Sequence, residues 1–206
     1  MSRGRRFMMV LFLLVLCTAQ ALAEETAGEW IARGLAYAKS GQHEEAIDAF
    51  KQTLLLEPKS AEVYYNLGVV YTESGQPQEA IGAYRQAVDL QPEFAEAYFN
   101  LGVVYADSGE PQEAIEAYKQ AVRVKPDYEK AYYNLGCVYA EQGRHQEAIE
   151  AYKQAIRIQP DYAEAHYNMG NSYFAIDDRK AAIAQYHILQ KLDTELAKEL
   201  SVRLMH

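Results

Sequence analysis

Between residues 27 and 196 the apolar and polar positions recur every thirty-four residues. Residues 95–128, AEAYFNLGVVYADSGEPQEAIEAYKQAVRVKPDY, are matched almost column for column by residues 61–94 before them and 129–162 after them. Within this unit Tyr98, Leu101, Gly102 and Tyr105 are spaced three, one and three residues apart, which puts them on one face of a helix. Ala114, Tyr118 and Ala121, spaced four and three, form one face of a second helix. Asp107-Ser108-Gly109-Glu110-Pro111 reads as the turn between them. Gly109 supplies a left-handed residue that ends the first helix, and Pro111 suits the first turn of the second. Pro126 stops the second helix, because its ring forbids continuation. Each unit is therefore an antiparallel helix pair, and the fixed period predicts several such pairs stacked into a solenoid.

The columns extend along the chain with graded fidelity. Residues 27–60 carry Trp30, Gly34, Tyr37, Ala46, Phe50 and Pro58, whereas residues 163–196 carry His166, Met169, Gly170, Tyr173, Ala182 and Tyr186 but no proline. The end units depart most: Arg33 stands where the others have Leu or Met, and Asp177 replaces the turn glycine. Residues 194–206 continue a helical pattern through Leu196, Leu200 and Leu204, which reads as a terminal helix covering the last pair with Lys198 and Arg203 in water. Glycine inside a helix costs about 1 kcal/mol against alanine. Its recurrence at Gly34, Gly68, Gly102, Gly136 and Gly170 therefore predicts close approach of the paired helix, with the alanine column from Ala46 onward as the matching small surface.

The period and the columns W/Y, L, G, Y, A, F/Y, A and P resemble those of the tetratricopeptide repeat family over residues 27–196. The resemblance implies an all-α fold: a right-handed superhelical solenoid of antiparallel helix pairs. The units would be residues 27–60, 61–94, 95–128, 129–162 and a degenerate fifth at 163–196, with a capping helix or tail at 194–206. In that family the first helices of the pairs line a concave groove.

A second stripe on each first helix is separate from the packing face. It contains Tyr65, Asn66 and Val69; Phe99, Asn100 and Val103; Lys130, Tyr133, Asn134 and Cys137; and Tyr167, Asn168 and Asn171. The aromatics read either as anchors for apolar side chains of a ligand or as packing between units. The four asparagines read either as an amide ladder along a peptide backbone or as inter-repeat hydrogen bonds. The ladder is similar to that of other tetratricopeptide superhelices that hold extended peptides. Some family members instead clamp a C-terminal carboxylate with basic residues. Here Lys130 is the one base in the stripe, with Lys39 near its mouth, among Glu, Asp, Asn and Val. An extended apolar or basic peptide is therefore the expected partner.

The chain has 29 acidic and 20 basic residues, a net charge of -9. Such a chain repels phosphate backbones, so nucleic acid is not an expected partner. Arg3, Arg5 and Arg6 precede an apolar run at residues 7–16, followed by Ala19-Gln20-Ala21 and Ala21-Leu22-Ala23 as cleavage sites. Residues 1–23 thus read as a secretory signal peptide, and the chain as periplasmic or secreted. Two alternatives keep it at a membrane: an uncleaved anchor within residues 7–23, or a lipoprotein signal ending at Cys17, against which Leu16 counts. Cys137 is the one other cysteine, a small apolar residue in place of Val69 and Val103 or an oxidisable thiol.

No His/Cys/Asp cluster has metal spacing, and no Gly-rich loop or nucleophile elbow occurs. The expectation is a non-enzymatic binding scaffold without cofactor or metal. It would hold a segment of another protein, in envelope assembly or secretion by analogy of fold. The alternative is a structural or assembly subunit that associates, with itself included, through its ends or convex surface.

Overall fold

The computed structural model describes residues 25–205, so the expectations for the arginines, the apolar run, both cleavage sites and Cys17 lie outside the described residues. Among the described residues the backbone forms eleven α-helices and no strand. The described residues divide into two compact units, residues 25–58 and 59–205.

The first unit holds α1 (Ala27–Lys39) and α2 (His43–Leu56). A capping box starts α1: the Thr26 hydroxyl accepts from the Glu29 N–H, and the Glu29 carboxylate accepts from the Thr26 N–H. The two helices pack with Ala46, Ala49 and Phe50 buried between them.

The second unit holds four further pairs and a last helix. The pairs are α3 (Ala61–Glu73) with α4 (Pro77–Leu90), α5 (Ala95–Asp107) with α6 (Pro111–Val124), α7 (Glu129–Glu141) with α8 (His145–Ile158), and α9 (Ala163–Ala175) with α10 (Arg179–Leu192). The last helix is α11 (Thr194–Leu204). Each second helix also packs on the first helix of the next pair, so α4 meets α5, α6 meets α7 and α8 meets α9. One apolar core, running from Ala80 to Met169, follows from this chain of contacts.

The turns form as their residues dictate. Gly109 has φ +74°, and Asp177, in the equivalent place of the last pair, has φ +62°. Aspartate is one of the few side chains that tolerates this region. Pro111 occupies the first turn of α6, and α6 ends at Val124, just ahead of Pro126.

The glycine column is a contact with rings rather than with the alanine column. A Cβ on Gly34, Gly68, Gly102 or Gly136 would lie 2.5–3.0 Å from ring carbons of Phe50, Tyr84, Tyr118 or Tyr152. Each aromatic of the second helix lies against the bare backbone of the first, and the alanines Ala80, Ala114 and Ala148 close up the same core at 0% exposure.

The last pair breaks this rule. The nearest group to Gly170 is Leu200 of α11, whose Cδ2 would be 2.7 Å from an added Cβ. Leu189, fully buried, stands where Ala87, Ala121 and Ala155 stand in earlier helices, and Tyr186 is only half-buried. Leu189 packs with Leu200 and Ala197 of α11, and it is Leu200 that lies over Gly170. His166 and Gln185 replace the tyrosine and alanine of these columns and form a buried polar pair. The His166 Nε2–H donates to the Pro160 carbonyl at 3.0 Å, and Nδ1 lies 2.8 Å from the Gln185 carboxamide.

Candidate interaction groove

The second stripe lies along α3, α5, α7 and α9, all within the second unit. Its aromatics are held by other aromatics. Tyr65 sits 5.9 Å from the ring of Tyr84 and 4.9 Å from Phe94. Phe99 repeats this with Tyr118 at 5.9 Å and Tyr128 at 5.0 Å, and Tyr133 with Tyr152 at 6.0 Å and Tyr162 at 4.9 Å. Tilted pairs at these separations are favourable, so these three stripe aromatics are fixed before any ligand arrives. Phe94, Tyr128 and Tyr162 were not among the expected site residues. Their signal is an aromatic at each thirty-four-residue step, just ahead of the next first helix.

The asparagines brace adjacent repeats. Asn100 Nδ2 donates to the Tyr65 hydroxyl at 3.2 Å, and Asn168 Nδ2 to the Tyr133 hydroxyl at 3.0 Å. Phe99 has no hydroxyl, and Asn134 donates instead to Tyr118 at 3.4 Å. Asn66 is half-buried. A carboxamide carries two N–H groups and an acceptor oxygen, so each brace leaves part of its capacity for a ligand.

Between α3 and α5 the stripe opens into a cavity of about 170 Å³ lined by Val69, Thr72, Glu73, Tyr84, Asn100 and Val103. Its walls are the two valines and its polar corner is Thr72, Tyr84 and Asn100. The Thr72 hydroxyl donates to the Gly68 carbonyl at 2.8 Å, which leaves the Tyr84 hydroxyl as donor across the 3.4 Å contact with Thr72. Burial pushes the Tyr84 phenol up to about 12 and raises Tyr65 as well, so both remain neutral hydrogen-bonding groups at physiological pH.

Around α7 and α9 the valine gives way to Cys137, half-buried, with Asn168 Nδ2 at 3.7 Å from its sulfur. Burial raises its thiol above 9.0 against hydrogen bonds from Tyr152, Tyr133 and Asn168. Cys137 is therefore a protonated, weakly nucleophilic thiol at neutral pH. Lys130 is exposed in the first turn of α7. Tyr167 differs from its equivalents, packing with Leu189, Ala197 and Leu200 beside the last helix. The Asn171 carboxamide oxygen is buried and has no hydrogen-bond partner.

The stripe columns hold Glu62, Glu73, Glu96, Asp107, Glu141 and Glu164 against Lys130, six acids to one base. Glu96 is paired with Lys125 at 3.4 Å. On other surfaces of α5/α6 and α7/α8 lie two shallow troughs of equivalent lining. One has Tyr98, Leu101 and Tyr105 beside Glu113 and Glu116; the other has Tyr132, Leu135 and Tyr139 beside Glu147 and Glu150. Among the described residues no group of three His, Cys, Asp or Glu side chains could hold a metal ion, and no helix is long and apolar enough to cross a membrane.

Comparison with known proteins agrees with this architecture. Models described as tetratricopeptide repeat match residues 31–89, 71–129 and 117–150, and one described as TPR repeat matches residues 136–177. No curated protein matches the chain. Two crystal structures of MamA are similar at 33% and 32% identity. They cover 80% and 82% of this chain and 96% of their own, with TM-scores of 0.75 and 0.72. YrrB, described as a TPR protein with an unusual peptide-binding site, is 23% identical over 90% of this chain and 96% of its own, with a TM-score of 0.76. Repeat period, helix pairing and these likenesses together make the chain a member of the tetratricopeptide repeat family.

Proposed function

We propose that the chain is a non-enzymatic scaffold that holds an extended segment of another protein along the stripe of α3, α5, α7 and α9. The observation that carries this reading is the cavity between α3 and α5. It has valine walls, a polar corner of hydroxyl and amide groups beside the Glu73 side chain, and room for one apolar side chain. The ring pairs and the Asn–Tyr braces hold this surface rigid, which lowers the ordering cost of binding.

The acids around the stripe select against acidic ligands, and one exposed lysine does not make a carboxylate clamp. A basic or apolar extended segment is the ligand that suits it. The solved relative with a peptide-binding site shows that this fold is used for peptides elsewhere. The three arginines, the apolar run and the small-residue sites of the first 23 residues support export, and with it a place in envelope assembly or secretion.

The test is a peptide array probed with the purified chain, its N-terminus established by mass spectrometry. Basic and apolar peptides bind and acidic ones do not. Equal binding of both kinds would remove the electrostatic part of the proposal, and a mature chain that still carries residues 1–23 would remove export by signal cleavage.

A further inference from the structure

Ile183 stands in the column of Ile81, Ile115 and Ile149, which are 6%, 1% and 0% exposed. Each of those is followed in the chain by a further helix pair, whereas Ile183 is followed by α11 alone and is 44% exposed. Ile188, also exposed, stands where Gln86, Gln120 and Gln154 stand in the earlier second helices. The charges of α10 are as unusual. Arg179, Lys180 and Lys191 are its only Arg, Lys, Asp or Glu residues, in a chain of net charge -9. Arg179 lies 3.8 Å from Asp177, but Lys180 and Lys191 are exposed and have no acidic partner among the described residues. In α6 and α8 the lysines pair within the helix, Lys119 with Glu116 at 2.9 Å and Lys153 with Glu150 at 2.7 Å.

Helix α2 carries the complement. Glu44, Glu45 and Asp48 are exposed on it with Lys51 as the one base of the helix, three acids to one, and Glu44 and Asp48 have no basic partner among the described residues. Leu55 is 74% exposed in a column that otherwise reads Asp89, Arg123, Arg157 and Lys191.

We propose that the exposed face of α2 in one copy of this chain docks on the exposed face of α10 in a second copy, with acids on lysines and Leu55 against Ile183 and Ile188. The apolar contact supplies the binding energy and the charges supply the choice of partner. Two α10 faces would set lysine against lysine, so a symmetric α10 pair is disfavoured. A surface that docks on a different surface of its twin is heterologous, and successive copies add head to tail.

The test is sedimentation velocity of the full chain over a range of concentrations, with its N-terminus defined by mass spectrometry and its helicity checked by circular dichroism. Wild type associates with concentration, and less so at high salt. Glu44→Lys/Glu45→Lys/Asp48→Lys and Lys180→Glu/Lys191→Glu are each weakened by roughly tenfold or more when alone. Mixed together they associate again, because the reversed α2 of one fits the reversed α10 of the other. A wild type that is monomeric throughout would overturn the proposal. So would reversed variants that associate as wild type does, or a mixture that stays monomeric while both variants keep their helicity.

Discussion

Gly102 lies directly beneath the ring of Tyr118: a methyl group there would sit 2.7 Å from two ring carbons. Tyr118 is 1% exposed and its hydroxyl accepts from Asn134, so the ring has nowhere to move. Gly102→Ala is expected to destabilise the protein by about 1–3 kcal/mol, although alanine is the better helix former. Urea unfolding followed by circular dichroism checks this. In a Tyr118→Leu background the same change is expected to cost much less, since the ring is what the methyl meets.

Gly82, in the middle of α4, gives the opposite sign. It is exposed and nothing lies within 4 Å of an added Cβ. Gly82→Ala is expected to stabilise the protein by about 0.4–1 kcal/mol through the unfolded chain and helix propensity. The same urea experiment, with the slope compared, distinguishes a gain in stability from a change in unfolded-state compactness.

The contrast between these glycines marks what the chain reveals on inspection. The helix bounds, the turns and the end units follow from a period of thirty-four residues and the local chemistry of Gly109, Pro111 and Pro126. Contacts between units do not. Whether Gly102 faces an alanine or a ring depends on how far α6 is rotated about its axis, which spacing alone leaves open. That Asn100 reaches back to Tyr65 requires two residues thirty-five apart to meet at 3.2 Å, and only the stacking distance decides this. The replacement of Tyr186 by Leu200 over Gly170 is not written in the columns, which show only a leucine at 189 in place of alanine. The groove residues are legible as a stripe and inter-repeat hydrogen bonds as one of two readings of its asparagines, but which tyrosine each asparagine reaches is not.

Leu200 is the centre of the terminal packing. It is fully buried and fills the place that a tyrosine fills in earlier pairs. Leu200→Ala is expected to cost about 2–5 kcal/mol. Because each repeat leans mainly on its neighbours, the loss is local. Hydrogen exchange should accelerate across α9, α10 and α11 and change little in α3 to α6.

Alkaline pH tests the buried phenols. Burial pushes Tyr84, Tyr128 and Tyr162 up to about 12 from an ordinary value of 10.0. The folded chain therefore holds protons that the unfolded chain releases, and stability falls as pH rises. Their contribution is complete below about pH 10 and is lost on the way up through pH 12. A phenolate absorbance titration should show a late phase in the native chain that coincides with loss of helicity. In denaturant that phase should vanish and all tyrosines titrate together.

The groove itself is tested most directly by the affinity of one basic or apolar peptide from the array, measured by fluorescence anisotropy. Val69 and Val103 wall the cavity, and neither belongs to an Asn–Tyr brace. Val69→Arg and Val103→Arg would each fill it and set a positive charge beside Glu73. Gln154→Arg, in the trough on α8, serves as control. The groove variants are expected to weaken binding by roughly tenfold or more, about 1.4 kcal/mol, with helicity intact and the control unchanged. Undiminished binding by both groove variants, or equal loss in the control, would contradict peptide recognition by this stripe.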